Sequence, residues 1–158
     1  WPSVEGGNER TSRQSRWRPD WRDCKEEARF LAMRLLLVSG HRSFDRFKPT
    51  IRRVAGFLAK KLKRDQVYLE VYLVGKEFMN KNVLAFPAPK DFPRPDIKSK
   101  PLGEIYLNPQ YIKENGENFI FMLIHGFLHL LGYDHQKRND RIRMEKKERE
   151  LLKSFPGH

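Results

Sequence analysis

Three of the five histidines, His125, His129 and His135, fall within the stretch FMLIHGFLHLLGYDH at 121–135. Imidazole nitrogen is a good ligand for transition metals, zinc above all. On an α-helix, positions i and i+4 lie about 40° apart around the axis and about 6 Å along it. His125 and His129 therefore project from one face, close enough to share one ion. Phe127, Leu128, Leu130 and Leu131 fill the other directions, which predicts a helix buried nearly all round. Gly132 can take positive φ and stop that helix. The turn Gly132-Tyr133-Asp134 then brings His135 back to the same point. Three imidazoles leave a fourth position open for water, the arrangement of a catalytic rather than a structural zinc site.

A single histidine on an apolar face is more often a hydrogen-bonded core residue than a ligand. Three polar rings among leucines cost free energy unless each finds a partner, and a metal supplies all three at once. Imidazoles without thiolate or carboxylate favour Zn(2+), one per chain, although nickel or copper could load in its place. The spacing H-x-x-x-H-x-x-G-x-x-H is shared with the metzincin proteases. Those carry glutamate directly after the first histidine as general base. Here that position is Gly126, so a peptidase of that class would lack its base.

HGFLHLLGYDH resembles the signature H-G-x-L-H-L-x-G-Y-D-H of the YbeY family, with every fixed position met from His125 to His135. Asn82–Pro87 (NVLAFP) resembles the family's "[DN]VLSFP" strand, with Ala85 for serine. Leu102–Ile105 (LGEI) resembles its "LGDI" strand, with Glu104 for aspartate. The resemblance runs from about Met33 to the end of the chain. It implies a metal-dependent, single-strand-specific endoribonuclease of the cytoplasm. Its expected partners are ribosomal RNA or the small ribosomal subunit, and its expected work is 16S 3′-end maturation and ribosome quality control. It also implies the mixed character of the sheet. A metal held by His125, His129 and His135 would acidify water and polarise the scissile phosphate. Asp134 either orients a histidine ring or caps the turn. Glu104 stands on a strand expected near the site. The family carries an arginine in a longer link ahead of "VLSFP". No residue of Gly75–Lys81 matches it, and Lys76 and Lys81 are the nearest cations in sequence, Lys81 directly before the strand. Two other functions stay open: a non-catalytic ribosome-associated factor that keeps the metal site, and a metal hydrolase of a small phosphorylated molecule.

The elements that must position these residues follow from periodicity. Arg34–Ser39 reads as a buried strand. Pro49 opens a helix over Thr50–Arg64, with Ile51, Val54, Phe57, Leu58 and Leu62 on one face and Arg52, Arg53, Lys60, Lys61, Lys63 and Arg64 on the rest. Val67–Val74 alternates as a strand with Val67, Leu69, Val71 and Leu73 inward. Asn82–Phe86 and Leu102–Asn108 read as further strands, joined by a proline-rich loop that also holds Lys90, Arg94, Lys98 and Lys100. A short helix from Pro109 precedes the histidine helix at about Glu117–Leu131. Arg138–Ser154 predicts a last helix contacting the core through Ile142, Met144, Leu151 and Leu152. The expected fold is α+β, with one mixed sheet of about four strands and helices packed against it.

The chain divides on composition into a polar extension at 1–32, expected to be flexible, and a domain at 33–158. Asp20–Leu31 could form a short helix within the extension. At 158 residues the chain suits one core. Its formal net charge of +12 favours a polyanionic partner, nucleic acid first. A single cysteine, Cys24, excludes an intramolecular disulfide and agrees with a reducing compartment. The longest apolar run, Phe119–Tyr133, is too short to span a bilayer and holds two histidines, so no membrane role is expected. No signal peptide is visible at the start.

Overall fold

The computed structural model describes residues 25–30, 33–64, 66–91, 95 and 98–157, the first of these segments by its backbone alone. The α+β fold expected from the sequence is present: a mixed sheet with its helices gathered on one face. In chain order the strands are β1 (Lys25–Phe30), β2 (Met33–Ser39), β3 (Val67–Leu73), β4 (Val83–Pro87) and β5 (Lys100–Leu107). Spatially they run β1-β2-β3-β5-β4. The pairs β2–β3 and β3–β5 are parallel, while β1–β2 and β4–β5 are antiparallel.

Alternation decides which face of the sheet is dry. Met33, Leu35 and Leu37 of β2, Leu69, Val71 and Leu73 of β3, and Ile105 and Leu107 of β5 are buried in one core. Against them lie α1 (Lys48–Lys61), entered through a 3₁₀ turn at Arg42–Phe47, and α3 (Phe119–Leu130). Pro49 sits in the first turn of α1, where a missing N–H costs nothing. Ile51, Val54, Ala55 and Leu58 form the buried stripe of α1, and Phe57 and Leu62 pack at its margin. Arg53 is tied to the C-terminal end of the chain: its guanidinium donates to the Pro156 carbonyl at 3.1 Å and lies over the Phe155 ring. The short helix α2 (Pro109–Glu114) is capped by Asn108, whose Oδ1 accepts from Tyr111 N at 3.1 Å. The last helix, α4 (Arg138–Ser154), packs on α3.

Two expectations need correction. Residues 25–30 form a strand instead of part of a helix over Asp20–Leu31. Pairing with β2 satisfies backbone groups that a bare β2 edge would leave open. The rest of the extension, and the flexibility expected of it, lies outside the described residues. β1 joins the expected mixed sheet as an edge strand, in the order β1-β2-β3-β5-β4. Ile142 is 52% exposed and does not join the core. The buried stripe of α4 is Met144, Glu148 and Leu151, at i, i+4 and i+7.

Candidate metal centre

The helix that carries the histidines is set against the sheet by a glycine. A Cβ built on Gly126 would lie 3.1 Å from Cγ2 of both Ile105 and Val83. The backbone of α3 thus rests directly on β4 and β5, and the neighbouring His125 is held at the rim of this contact. A glutamate in place of Gly126, as a metzincin base would require, would bring a Cβ tighter than ordinary van der Waals contact against both side chains. Asn118 starts the helix, its Oδ1 accepting from Phe121 N at 3.0 Å. Gly132, at φ +91°, ends it as the sequence predicted.

The three histidines converge. One nitrogen from each of His125, His129 and His135 lies within 4.8 Å of the others. Nε2 of His125 and Nε2 of His129 face each other at 3.1 Å. Two nitrogens bound to one tetrahedral ion at about 2.0–2.1 Å would sit about 3.3 Å apart, so this pair is spaced to share an ion. His125 and His129 are half-buried and His135 is exposed, leaving one side of the cluster open.

The proton inventory also fits a cation. Nδ1 of His125 lies 2.6 Å from Oε1 of Glu148, a carboxylate that is only 5% exposed. A buried carboxylate needs a partner, and a ring N–H donated to it leaves the His125 Nε2 lone pair facing the cluster. His129 hydrogen-bonds the Tyr133 backbone, which raises its pKa. Burial first, then the neighbouring His125 and His135, outweigh this and hold the His129 pKa below its ordinary range. A neutral imidazole is the form that binds metal. Two imidazole nitrogens 3.1 Å apart are satisfied by a proton or a metal ion between them. The cluster can therefore hold a metal ion.

The remaining candidates fall in different places. Asp134 closes the turn: its Oδ1 accepts from His135 N at 2.7 Å and from Gln136 N at 3.3 Å. The ring-orienting carboxylate is Glu148 instead. It was legible as the i+4 neighbour of Met144 on the apolar stripe of α4, a position where a carboxylate is costly without a purpose. Tyr133 packs against the core. Glu104 is turned away from α3. It lies on the outer face of the sheet with Glu70, its registered neighbour on β3, and accepts from the Tyr106 hydroxyl at 3.0 Å. Ile105 and Leu107 of β5 face the helices, so Glu104, next to Ile105 on the strand, points to the other side. Lys76 pairs with Glu114 of α2. Lys81 is exposed two residues ahead of Val83, whose side chain abuts Gly126. Arg94 of the proline-rich loop lies outside the described residues.

Comparison with known proteins agrees with this geometry. The sequence model of the family described as endoribonuclease YbeY matches residues 41–156. The endoribonuclease YbeY of Renibacterium salmoninarum is 33% identical over 131 residues, which are 66% of this chain and 82% of that relative. The chain belongs to the YbeY family. The endoribonuclease YbeY of Blochmanniella floridana is 37% identical over 100 residues, 58% of this chain and 63% of the relative. That of a Sulfurovum species is 34% identical over 82 residues, 47% of this chain and 54% of the relative. Against these last two YbeY proteins, the chain spans about half to two thirds of the relative's length. Among the described residues no helix is long and apolar enough to cross a membrane.

Proposed function

We propose that this chain is a metal-dependent endoribonuclease that cleaves single-stranded RNA, with Zn(2+) held by His125, His129 and His135. The observation that carries this reading is the convergence of three imidazoles, one of them fixed by a buried carboxylate, in a YbeY family member. When bound, the ion supplies Lewis acidity toward a phosphoryl oxygen and toward water. The chain's own residues do the rest. Glu148 keeps a proton on Nδ1 of His125 and so fixes which nitrogen faces the ion. Asp134 holds the turn that delivers His135. Lys81, beside the Val83–Gly126 contact, is the cation proposed to neutralise charge on the phosphate, as a point ion without the fork of a guanidinium. Glu104, on the opposite face, takes no part in this reading. The proposed substrate is ribosomal RNA at the 3′ end of 16S, met on the small ribosomal subunit in the cytoplasm.

The test is cleavage of a labelled single-stranded RNA by purified chain, with and without chelator, alongside elemental analysis. About one transition-metal ion per chain is expected, with chelator-sensitive cleavage that falls in Lys81→Ala and is lost with the metal in His129→Ala. Metal-loaded protein that binds RNA and never cuts it would leave a ribosome-associated factor. Cleavage that survives complete removal of metal would overturn the ligand assignment.

A further inference from the structure

The turn that links His129 to His135 has a second side. Leu131, Gly132, Tyr133 and Asp134 form one wall of a cavity of about 400 Å³, and Arg64, Arg143 and Asp140 form the others. Arg64 follows the C-terminal end of α1 and Arg143 lies on α4, so elements far apart in sequence bring two guanidinium groups to one recess. Both arginines are exposed, and among the described residues neither makes an ion pair or side-chain hydrogen bond. The two carboxylates in the recess have other duties. Asp134 accepts from two backbone amides, and Asp140 stands in the first turn of α4, where negative charge complements the helix dipole. Two guanidinium groups without partners among the described residues, in a polar recess, ask for an anion with several acceptor oxygens. A phosphodiester matches the fork bidentately.

We infer that Arg64 and Arg143 form a phosphate subsite for the RNA strand, one wall away from the metal centre. This rests on the endoribonuclease reading and adds to it a pair of cations in a chain whose β3–β4 link lacks the family's arginine. The recess and the cluster share the Gly132–Asp134 turn. A strand crossing that turn would rest one phosphate on the arginines while another reaches the histidines. Such contacts position the strand without reading its sequence. The arginines are therefore positioning residues that act through substrate placement.

Binding and cleavage separate this proposal from the reading beneath it. Binding is measured by fluorescence anisotropy, on zinc-loaded protein, with a labelled single-stranded DNA oligonucleotide that a ribonuclease cannot cut. Cleavage is measured with the RNA of the same sequence. The double variant Arg64→Ala/Arg143→Ala is expected to keep zinc content and melting temperature, because both side chains are exposed. Its Kd should rise about ten-fold or more, the scale of losing charge-assisted hydrogen bonds. KM for RNA should rise in step while kcat changes little. Arg64→Lys/Arg143→Lys should recover part of the loss, since it keeps the charge and loses the fork. Unchanged Kd in the alanine variant overturns the subsite, whatever happens to cleavage. Weakened binding in a protein that never cleaves supports the subsite and overturns the ribonuclease reading.

Discussion

At the scale of single residues the metal centre depends on a proton. Histidine can present either nitrogen, and an unfixed ring would spend part of its time with N–H aimed at the ion. The 2.6 Å contact between His125 Nδ1 and Glu148 Oε1 removes that choice. Burial strengthens it, because water competes poorly for a carboxylate that is only 5% exposed. Glu148→Ala should therefore weaken metal binding by about 10- to 100-fold, the usual cost of losing such an orienting partner. Competition against a chromophoric chelator measures this directly. Glu148→Gln keeps the shape and an acceptor oxygen, so its loss should be smaller. Equal affinity in wild type and Glu148→Ala would show that the carboxylate only packs against the ring.

At the scale of elements, α3 can serve as a ligand platform because it is pressed onto the sheet at Gly126. Glycine within a helix costs about 1 kcal/mol relative to alanine. Here a side chain would press on the sheet: a Cβ at this position would stand 3.1 Å from Cγ2 of Ile105 and of Val83. Gly126→Glu should destabilise the fold by at least about 1–3 kcal/mol, as overpacking commonly does, seen as a fall in melting temperature. A variant of unchanged stability would mean that α3 lifts off the sheet easily. The outer face of the sheet makes a separate prediction. Burial, then the hydrogen bond to Glu104, pushes the Tyr106 hydroxyl up to about 12. Burial and the Glu70 hydrogen bond raise Tyr72 further. The folded state keeps protons that the unfolded chain releases near the ordinary value of 10.0. The resulting stability is complete below pH 10 and is lost as the pH rises toward 12. Chemical denaturation at stepped alkaline pH should show that decline, and Tyr106→Phe should reduce it, leaving the part due to Tyr72.

At the scale of the whole molecule, what the sequence made legible was local and what it hid was distant. Alternation in Val67–Leu73 and the i, i+4 pair of histidines report on their own neighbourhoods. The cross-chain meeting of His125 with Glu148, 23 residues on, leaves only a faint mark, a carboxylate on an apolar stripe. The turning of Glu104 away from α3 needed the sheet register. The recess shared by Arg64 and Arg143 has no sequence signature at all. Charge is a middle case. The net charge of +12 pointed to a polyanion, but the fold decides which cations are available. Arg53 is committed to Pro156 and Phe155, and Lys76 to Glu114. Lys60, Lys61, Lys63 and Arg64 remain exposed at the C-terminal end of α1. The outer face carries the opposed carboxylates Glu70 and Glu104, which would repel a phosphate backbone. A strand should therefore approach from the α1 and α4 side. Each phosphate contact to a single strand contributes about 0.7 to the slope of log affinity against log salt. Oligonucleotide binding should thus weaken steeply with salt. Lys60→Ala/Lys61→Ala/Lys63→Ala should lower the slope by about 0.7 for each contact removed, with metal content unchanged. The same slope in this triple variant and in wild type would place the strand elsewhere on the surface. Binding that ignores salt altogether would argue for a small phosphorylated substrate in place of RNA.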